Sequence, residues 1–385
     1  MRNVLHRDVP VVSRRFSPAD SPATIPGFIG AAALVLAACL PIAAQAQTGT
    51  LAFRSGYEPS TTIMDIDPGN CWLGPPQGCW QEITGTDTTS GFTWPPNIWG
   101  GGGRFLLLTD VPGVTAATMG NYMFNQIVNV QRHDTNWTNQ ALYSQITKSS
   151  NGQNPMGTAA TTNLFELHPA FEGGDLYISY WLKFQPGMTK NMIDLDPAVP
   201  GIYPDGGTWR SLFAFKTGTP APINNGSPGN NGDYRVEAYV ITGCPAGFTQ
   251  PGLCPPPPPQ TRPTPFWACV GDNNAGGGFP LVNDWTVTNN TVPVLDDGQW
   301  FKVEIFWHRS ALPDGRFWMA INGTQICNRF GANTGAAVPM LPINRIIVPT
   351  LYSGGRFPIY QWVDDIQIWN GGFPTATDDP PYAPH

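Results

Sequence analysis

Histidine is the scarcest side chain in this chain that exchanges a proton near neutral pH. Of the five histidines, one lies in the N-terminal leader and one is the last residue. His308 has the most informative neighbours, because Lys302 and Glu304 share its phase in the alternating segment 301–308. An imidazole can act as a general base, and a nearby cation can neutralise a substrate charge. We predict that His308 is catalytic and that Lys302 and Glu304 contact the substrate; the alternative is a histidine at the end of an edge strand.

A second polar face is carried by Arg235, Glu237 and Tyr239, which alternate with valine and alanine. Together with His308 and Tyr360, these residue types suit a β-elimination on a uronate polymer. That reaction needs a base for the C5 proton, an acid for the leaving oxygen and a group that neutralises the sugar carboxylate. The predicted catalytic set is His308, Tyr360, Tyr239 and Arg235.

Other interpretations of these residues stay open. Tyr239 and Tyr360 could be ordinary packing aromatics. Glu237 is predicted to contact the substrate, but Glu237 and Glu304 could instead be the acid/base pair of a glycosidase.

Tryptophan is abundant, and all 14 tryptophans lie outside the leader. Aromatic rings stack on the apolar faces of sugars, so a groove lined by them can bind a glycan without charge. Trp209 is predicted to be such a substrate contact; the alternative is core packing. Several tryptophans fall in segments predicted to be loops: Trp72, Trp80, Trp94, Trp99, Trp137 and Trp209.

The elements that must position these side chains are strands. Apolar residues alternate with period two over 176–184 and 301–308, and helical periodicity is scarce. Many strands separated by turn residues predict an all-β sandwich or jelly roll. We predict one β domain over residues 47–372 and a proline-rich, disordered tail over 373–385.

The N-terminus has the pattern of an export signal over residues 1–46. Basic residues precede an apolar stretch that ends in the small-x-small sequence Ala44-Gln45-Ala46. A lipid on Cys39 and a twin-arginine signal at Ser13-Arg14-Arg15 are alternatives. We expect a secreted or periplasmic protein, or a lipoprotein if Cys39 is modified.

The cysteines agree with export. With Cys39 removed, six of the seven cysteines remain, an even number typical of disulfides. Six cysteines allow about 15 pairings, so the sequence does not fix them. The preferred set takes the short loops first: Cys71–Cys79, Cys244–Cys254 and Cys269–Cys327.

The net charge of the chain restricts the classes of molecule that it can bind. The leader carries four of the 20 basic and two of the 27 acidic residues, so its removal leaves a net charge of −9. An acidic chain of this kind argues against nucleic acid as a partner. No later segment is apolar enough to span a membrane. Motifs of nucleotide binding, serine hydrolysis and zinc proteolysis are absent. We expect a monomer whose partner is a polysaccharide.

Four segments resemble the concanavalin A-like jelly-roll superfamily, and within it the bacterial polysaccharide lyases that act on alginate, glucuronan or heparin. The segments are 53–58, 176–184, 298–323 and 362–369. The resemblance implies a jelly-roll β-sandwich of two antiparallel sheets with long loops, in which the last strand pairs with the first. It also implies a secreted polysaccharide lyase; the alternative is a non-catalytic carbohydrate-binding or cell-surface protein on the same fold.

The resemblance also bears on metals. In the resembling families a carboxylate on the last strand, facing a group on the first, helps to hold a structural Ca²⁺, which prefers oxygen ligands. Glu58 and Asp365 could fill these roles here, and no other cofactor is expected. The alternative is a solvated acidic pair at a strand end.

Overall fold

The structure of the protein is a computed structural model. It describes residues 48–65, 71–72, 77–81, 83–94, 103–109, 123–133, 138–147, 161–167, 175–193, 209–217, 234–241, 265–273, 282–295, 297–308, 310, 314–330, 343–353 and 358–374. The predicted leader, Cys39, Cys244 and Cys254 lie outside these residues. No helix in the described ranges has both the length and the apolar character that a bilayer crossing needs.

Strands dominate the described chain. Those of the first half are β1 (Thr50–Ser55), β2 (Thr62–Ile63), β3 (Cys71–Trp72), β4 (Gln77–Gln81), β5 (Ile83–Thr86), β6 (Thr93–Trp94), β7 (Gly103–Thr109), β8 (Met123–Gln131), β9 (Thr138–Ile146), β10 (Thr161–Leu167) and β11 (Asp175–Phe184). After the short helix α1 (Met188–Ile193) come β12 (Trp209–Thr217), β13 (Tyr234–Ile241), β14 (Phe266–Asn273), β15 (Val282–Asn289), β16 (Trp300–His308), β17 (Arg316–Ile321), β18 (Thr324–Phe330), β19 (Ile343–Ser353) and β20 (Ile359–Asn370).

These strands form two large antiparallel sheets in the described chain. The front sheet has the order β18-β17-β16-β11-β20-β9-β8, and β1 also pairs with β20. The back sheet has the order β15-β14-β13-β12-β19-β10-β7-β4-β3, and a small third sheet joins β2, β5 and β6. The pairing of the first and last strands is the one that the resemblance implied.

The two large sheets pack face to face. In β11, Ile178, Tyr180 and Leu182 point into the shared core and are fully or almost fully buried. Across the sandwich, the ring of Phe215 in β12 stacks on Trp307 in β16 with centroids 5.4 Å apart. Burial of each such large apolar side chain contributes about 1.5–3 kcal/mol to folding. The predicted all-β fold of two antiparallel sheets is therefore confirmed.

Covalent and terminal contacts complete the sandwich. Cys269 in β14 forms a disulfide with Cys327 in β18, so a covalent bond joins the back sheet to the front sheet. Cys71 and Cys79 are paired residues on β3 and β4. Phe373, which the sequence placed in the disordered tail, instead stacks on Phe306 at 4.3 Å. The folded region thus extends at least one residue beyond the predicted boundary.

Candidate functional site

The predicted catalytic residues are divided between the two sheets. His308 (β16) and Tyr360 (β20) belong to the front sheet, whereas Arg235 and Tyr239 (β13) belong to the back sheet. His308 and Tyr360 are also far apart, because His308 pairs with the first residue of β11 and Tyr360 lies beyond the last. The length of β11 separates them by about 30 Å. The prediction that these four residues converge on one site is wrong, because strands of similar pattern joined different sheets.

The predicted substrate contacts follow the same division. Lys302 and Glu304 are neighbours on the front sheet, with Nζ and Oε1 3.9 Å apart, and Glu304 Oε1 accepts a hydrogen bond from the Tyr177 hydroxyl at 2.9 Å. Glu237 lies on the back sheet, so Glu237 and Glu304 cannot be a glycosidase pair. Trp209 is the first residue of β12 and pairs with Ile241.

His308 is held by carboxylates at the end of its strand. Its Nδ1 lies 2.5 Å from Asp175 Oδ1, and its Nε2 lies 3.9 Å from Asp314 Oδ2. The side chain is about one-third exposed. These acidic partners make the surroundings of His308 unfavourable for an anionic sugar.

On the back sheet, the register of the strands brings polar residues of β12, β13 and β19 together in two rows. In the first row Tyr239 pairs with Ser211, which pairs with Tyr352. Tyr239 is half-buried and packs beside Ile241, and Ser211 is buried. We call Tyr239, Ser211 and Tyr352 the tyrosine row.

The second row on the back sheet is cationic. Arg235 pairs with Lys216, which pairs with Arg345. Arg235 and Tyr239 are four residues apart on β13, in the same phase of the strand, which corresponds to about 13 Å. Glu237, 6% exposed, lies between them along the strand. We call Arg235, Lys216 and Arg345 the basic row: three basic residues at paired backbone positions of an acidic chain.

The outer face of the front sheet carries a row of aromatic side chains. Tyr143 in β9, Trp362 in β20, Lys183 in β11 and Trp300 in β16 pair in succession across four neighbouring strands. All four side chains are half-buried, and their chain neighbours on the opposite face enter the core. The Lys183 Nζ lies 5.1 Å from the ring centre of Trp362 and 5.8 Å from that of Trp300. We call these four residues the aromatic row.

Two further aromatic side chains extend this row towards the strand ends. Tyr360 lies 5.3 Å from Trp362 and 5.9 Å from Tyr143, measured between ring centroids. Phe124, which is 39% exposed, contacts Tyr143 edge-on. Tyr360, predicted to be catalytic, therefore belongs to an aromatic surface.

The neighbouring row of the front sheet, two residues along β11 from Lys183, is covered by another side chain. Trp181 is 8% exposed, and the imidazole of His133 stacks on it at 3.9 Å. Beside them, Asp364 is buried and its Oδ2 lies 3.4 Å from His133 Nδ1. Burial raises the pKa of Asp364, although contact with His133 opposes this shift. The outer face of the front sheet is therefore covered at this row, whereas the neighbouring aromatic row is accessible to solvent.

An acidic pocket of about 130 Å³ adjoins the first and last strands. Its lining includes Arg54, Gly56, Glu58, Asp87, Thr89, Ser90, Arg132 and Asp365. Both oxygens of Asp365 accept hydrogen bonds from Arg54, at 2.9 and 3.1 Å. Arg54 therefore already neutralises Asp365, and calcium at Asp365 stays a prediction.

Glu58 has a different environment from Asp365. A Cβ on Gly56 would approach Glu58 Oε1 to 3.2 Å and Asp364 Oδ1 to 3.4 Å, so these two carboxylates lie beside the same glycine. Burial raises the pKa of Glu58, a hydrogen bond from Asn139 opposes the shift and the charge of Asp364 adds to it. No group of three potential metal ligands among His, Cys, Asp and Glu occurs in the described part of the chain. Calcium at Glu58 stays a prediction.

Asp87 is the hydrogen-bond acceptor that fixes the turn after β1. Its fully buried carboxylate accepts from the Ser55 hydroxyl at 2.8 Å and from the backbone of Gly56, Thr89 and Ser90 at 2.9–3.0 Å. Burial alone would raise the pKa of Asp87, but these hydrogen bonds outweigh it and lower the pKa.

We therefore expect Asp87→Asn to lower the free energy of unfolding by about 2 kcal/mol at pH 7, because an amide nitrogen would face N–H donors. The lowered pKa means that the contribution is present above the ordinary carboxyl pKa and is lost as the pH falls below about 4. Urea unfolding of both proteins at pH 7 and pH 3 measures this. A difference that grows at pH 3 would contradict the assignment.

The aromatic row was missed from the sequence, although a signal was present. Trp362 follows Tyr360 by two residues, Trp300 precedes Lys302 by two, and Lys183 is on the polar phase of its strand. The tryptophans chosen instead were those in predicted loops. Of these, Trp94 is 2% exposed in the main core, and Trp99 and Trp137 lie outside the described residues.

Comparison with known proteins gave fold-level similarity only. No protein family model and no curated protein matches the chain. An alginate lyase, Aly36B, in complex with alginate trisaccharide is 12% identical, with a TM-score of 0.35, over 60% of this chain and 81% of that one. An endo-β-1,4-glucuronan lyase from the fungus Trichoderma reesei is 12% identical, with a TM-score of 0.37, over 66% and 89%. The binding domain of botulinum neurotoxin serotype D/C is 9% identical, with a TM-score of 0.32, over 71% and 48%. Similarity at this level carries no information about the activity of this chain.

Proposed function

We propose that the back sheet binds a uronate-containing polysaccharide and cleaves it by β-elimination. The observation that carries the proposal is the juxtaposition of the tyrosine row and the basic row on β12, β13 and β19. Phenol groups can exchange protons with a substrate, and cations can neutralise sugar carboxylates. His308 and Tyr360 have no part in this site.

The reaction assigns a task to each row. One tyrosine, Tyr239 or Tyr352, acts as its phenolate and takes the C5 proton of the uronate to become the neutral phenol, and the electron pair of the broken C5–H bond forms the C4–C5 double bond. The C4–O bond then breaks, and the other tyrosine protonates the leaving oxygen. Arg235 of the basic row neutralises the carboxylate, which makes the C5 proton easier to remove. Water is not consumed, so the product carries an unsaturated sugar.

We expect the protein to form an unsaturated uronide from at least one polyuronate. The double bond conjugated to the carboxylate absorbs ultraviolet light, so a panel of alginate, polyglucuronate, polygalacturonate and heparin can be followed by absorbance. Reducing-end formation without new absorbance would indicate hydrolysis and contradict the proposal.

A non-catalytic carbohydrate-binding protein is the second candidate, and the half-buried aromatic row on the outer face of the front sheet favours it. The same panel separates the two functions. Retention on a polysaccharide without any product would overturn the lyase and support the binding protein.

We also propose that the protein works outside the cytoplasm. The Cys269–Cys327 disulfide supports this, because such bonds persist in oxidising compartments. The basic and apolar leader in the sequence is the second support. Under this proposal the leader ends either by cleavage after Ala46 or with a lipid on Cys39.

A further inference from the structure

The aromatic row combines ring surface with one cation in its centre. Lys183 projects from β11, a central strand, between Trp362 and Trp300. From Tyr143 to Trp300 the row crosses three strand spacings, about 14 Å. Half-exposed tryptophan and tyrosine side chains in a contiguous group are typical of a binding surface. The row is long enough to contact several units of a linear ligand.

The charge of Lys183 is not balanced locally. Within the described residues, no carboxylate lies within ion-pair distance of its Nζ, and its cross-strand neighbours are the two neutral tryptophans. Nearby cations differ in this respect: Lys302 lies 3.9 Å from Glu304, and Arg132 lies 3.8 Å from Glu58. Lys183 is therefore available to an anionic group of a ligand.

The partial burial of the Lys183 ammonium group also favours the binding of an anion beside it. Burial lowers the pKa of Lys183, since removal of water disfavours the charged form. The tryptophan rings offset part of this cost through cation–π attraction. A carboxylate that reaches Nζ would add a charge-assisted hydrogen bond, which is the stronger kind.

We infer that the aromatic row is a second polysaccharide-binding surface, on the opposite side of the sandwich from the proposed lyase site, and that Lys183 binds a uronate carboxylate there. The sugar rings lie along Tyr143, Trp362 and Trp300, and the chain runs across the strands. The surface retains the polymer and takes no part in its cleavage. It does not depend on the lyase activity.

The test measures dissociation constants for alginate by affinity electrophoresis. Trp362→Ala and Lys183→Met should each weaken binding about tenfold, which corresponds to about 1.4 kcal/mol. Added NaCl should weaken binding of the wild type more than that of Lys183→Met. Trp318→Ala is the matched control, because Trp318 is half-buried on the same sheet but outside the row.

Two further measurements identify the chemical group that this surface binds and distinguish the surface from the proposed lyase site. Dextran sulfate and neutral dextran should both bind more weakly than alginate; dextran sulfate binding as tight as alginate would contradict a carboxylate site. The cleavage rate on a short uronate oligosaccharide should be unchanged in Trp362→Ala. Unchanged alginate binding in both row variants overturns the inference, whatever the panel shows about cleavage.

Discussion

Tyr239→Phe is expected to lower the rate of uronide formation by about 100-fold to 10,000-fold, the range that positioned general acid–base groups contribute. The substitution removes one oxygen atom and keeps the ring, which packs beside Ile241 on the back sheet. Fold and packing should therefore survive. The effect should fall on kcat much more than on KM, because the proton transfer takes place in the transition state.

Tyr177→Phe is the matched control for this measurement. Tyr177 belongs to the front sheet, where its hydroxyl donates to Glu304 at 2.9 Å, so the same atom is deleted away from the proposed site. The control should keep its rate. Equal losses in the two variants, or full activity in Tyr239→Phe, would contradict the assignment. Arg235→Lys, which keeps the charge but loses the planar donor pair, should lower kcat/KM for the polymer, because the sugar carboxylate is then less well neutralised in the transition state.

The strands themselves could be predicted from local pattern. Period-two alternation identified β11 and β16 to within one residue, because one face of each strand must enter the core. The hairpin between β16 and β17 contains Asp314 and Gly315, residue types that are typical of turns. These features depend on neighbours in the sequence, which is why they could be found without the fold.

The candidate site depends on the pairing of strands that are far apart in the sequence. The local pattern of polar and apolar residues does not indicate which strands pair. β13 and β16 both alternate polar and apolar residues, yet β13 pairs with β12 and β14 whereas β16 pairs with β11 and β17. Arg235 and His308 therefore joined different sheets. The grouping of Tyr239 with Ser211 and Tyr352 likewise requires the order of strands within the back sheet.

Removal of the Cys269–Cys327 disulfide is expected to lower the free energy of unfolding by about 4 kcal/mol. The bond closes a loop with a sequence separation of 58 residues, and its loss returns that conformational freedom to the unfolded chain. Both cysteines are buried, so the native core contains the crosslink. Guanidinium unfolding of Cys269→Ala/Cys327→Ala against the wild type measures the difference.

The double variant also loses two buried sulfur atoms, so reduction of a protein that retains them separates the two effects. Reduction of the Cys71→Ala/Cys79→Ala/Cys244→Ala/Cys254→Ala background keeps the sulfur atoms that pack near Met319, with Cys269 Sγ 3.9 Å from Met319 Sδ, and breaks only the Cys269–Cys327 crosslink. A loss of about 4 kcal/mol in both samples assigns the stability to the crosslink, whereas a loss confined to the double variant would assign it to packing. Because the bond joins β14 of the back sheet to β18 of the front sheet, it constrains the two sheets that carry the proposed lyase site and the aromatic row. A crosslink effect should therefore lower the unfolding midpoint measured on either sheet equally.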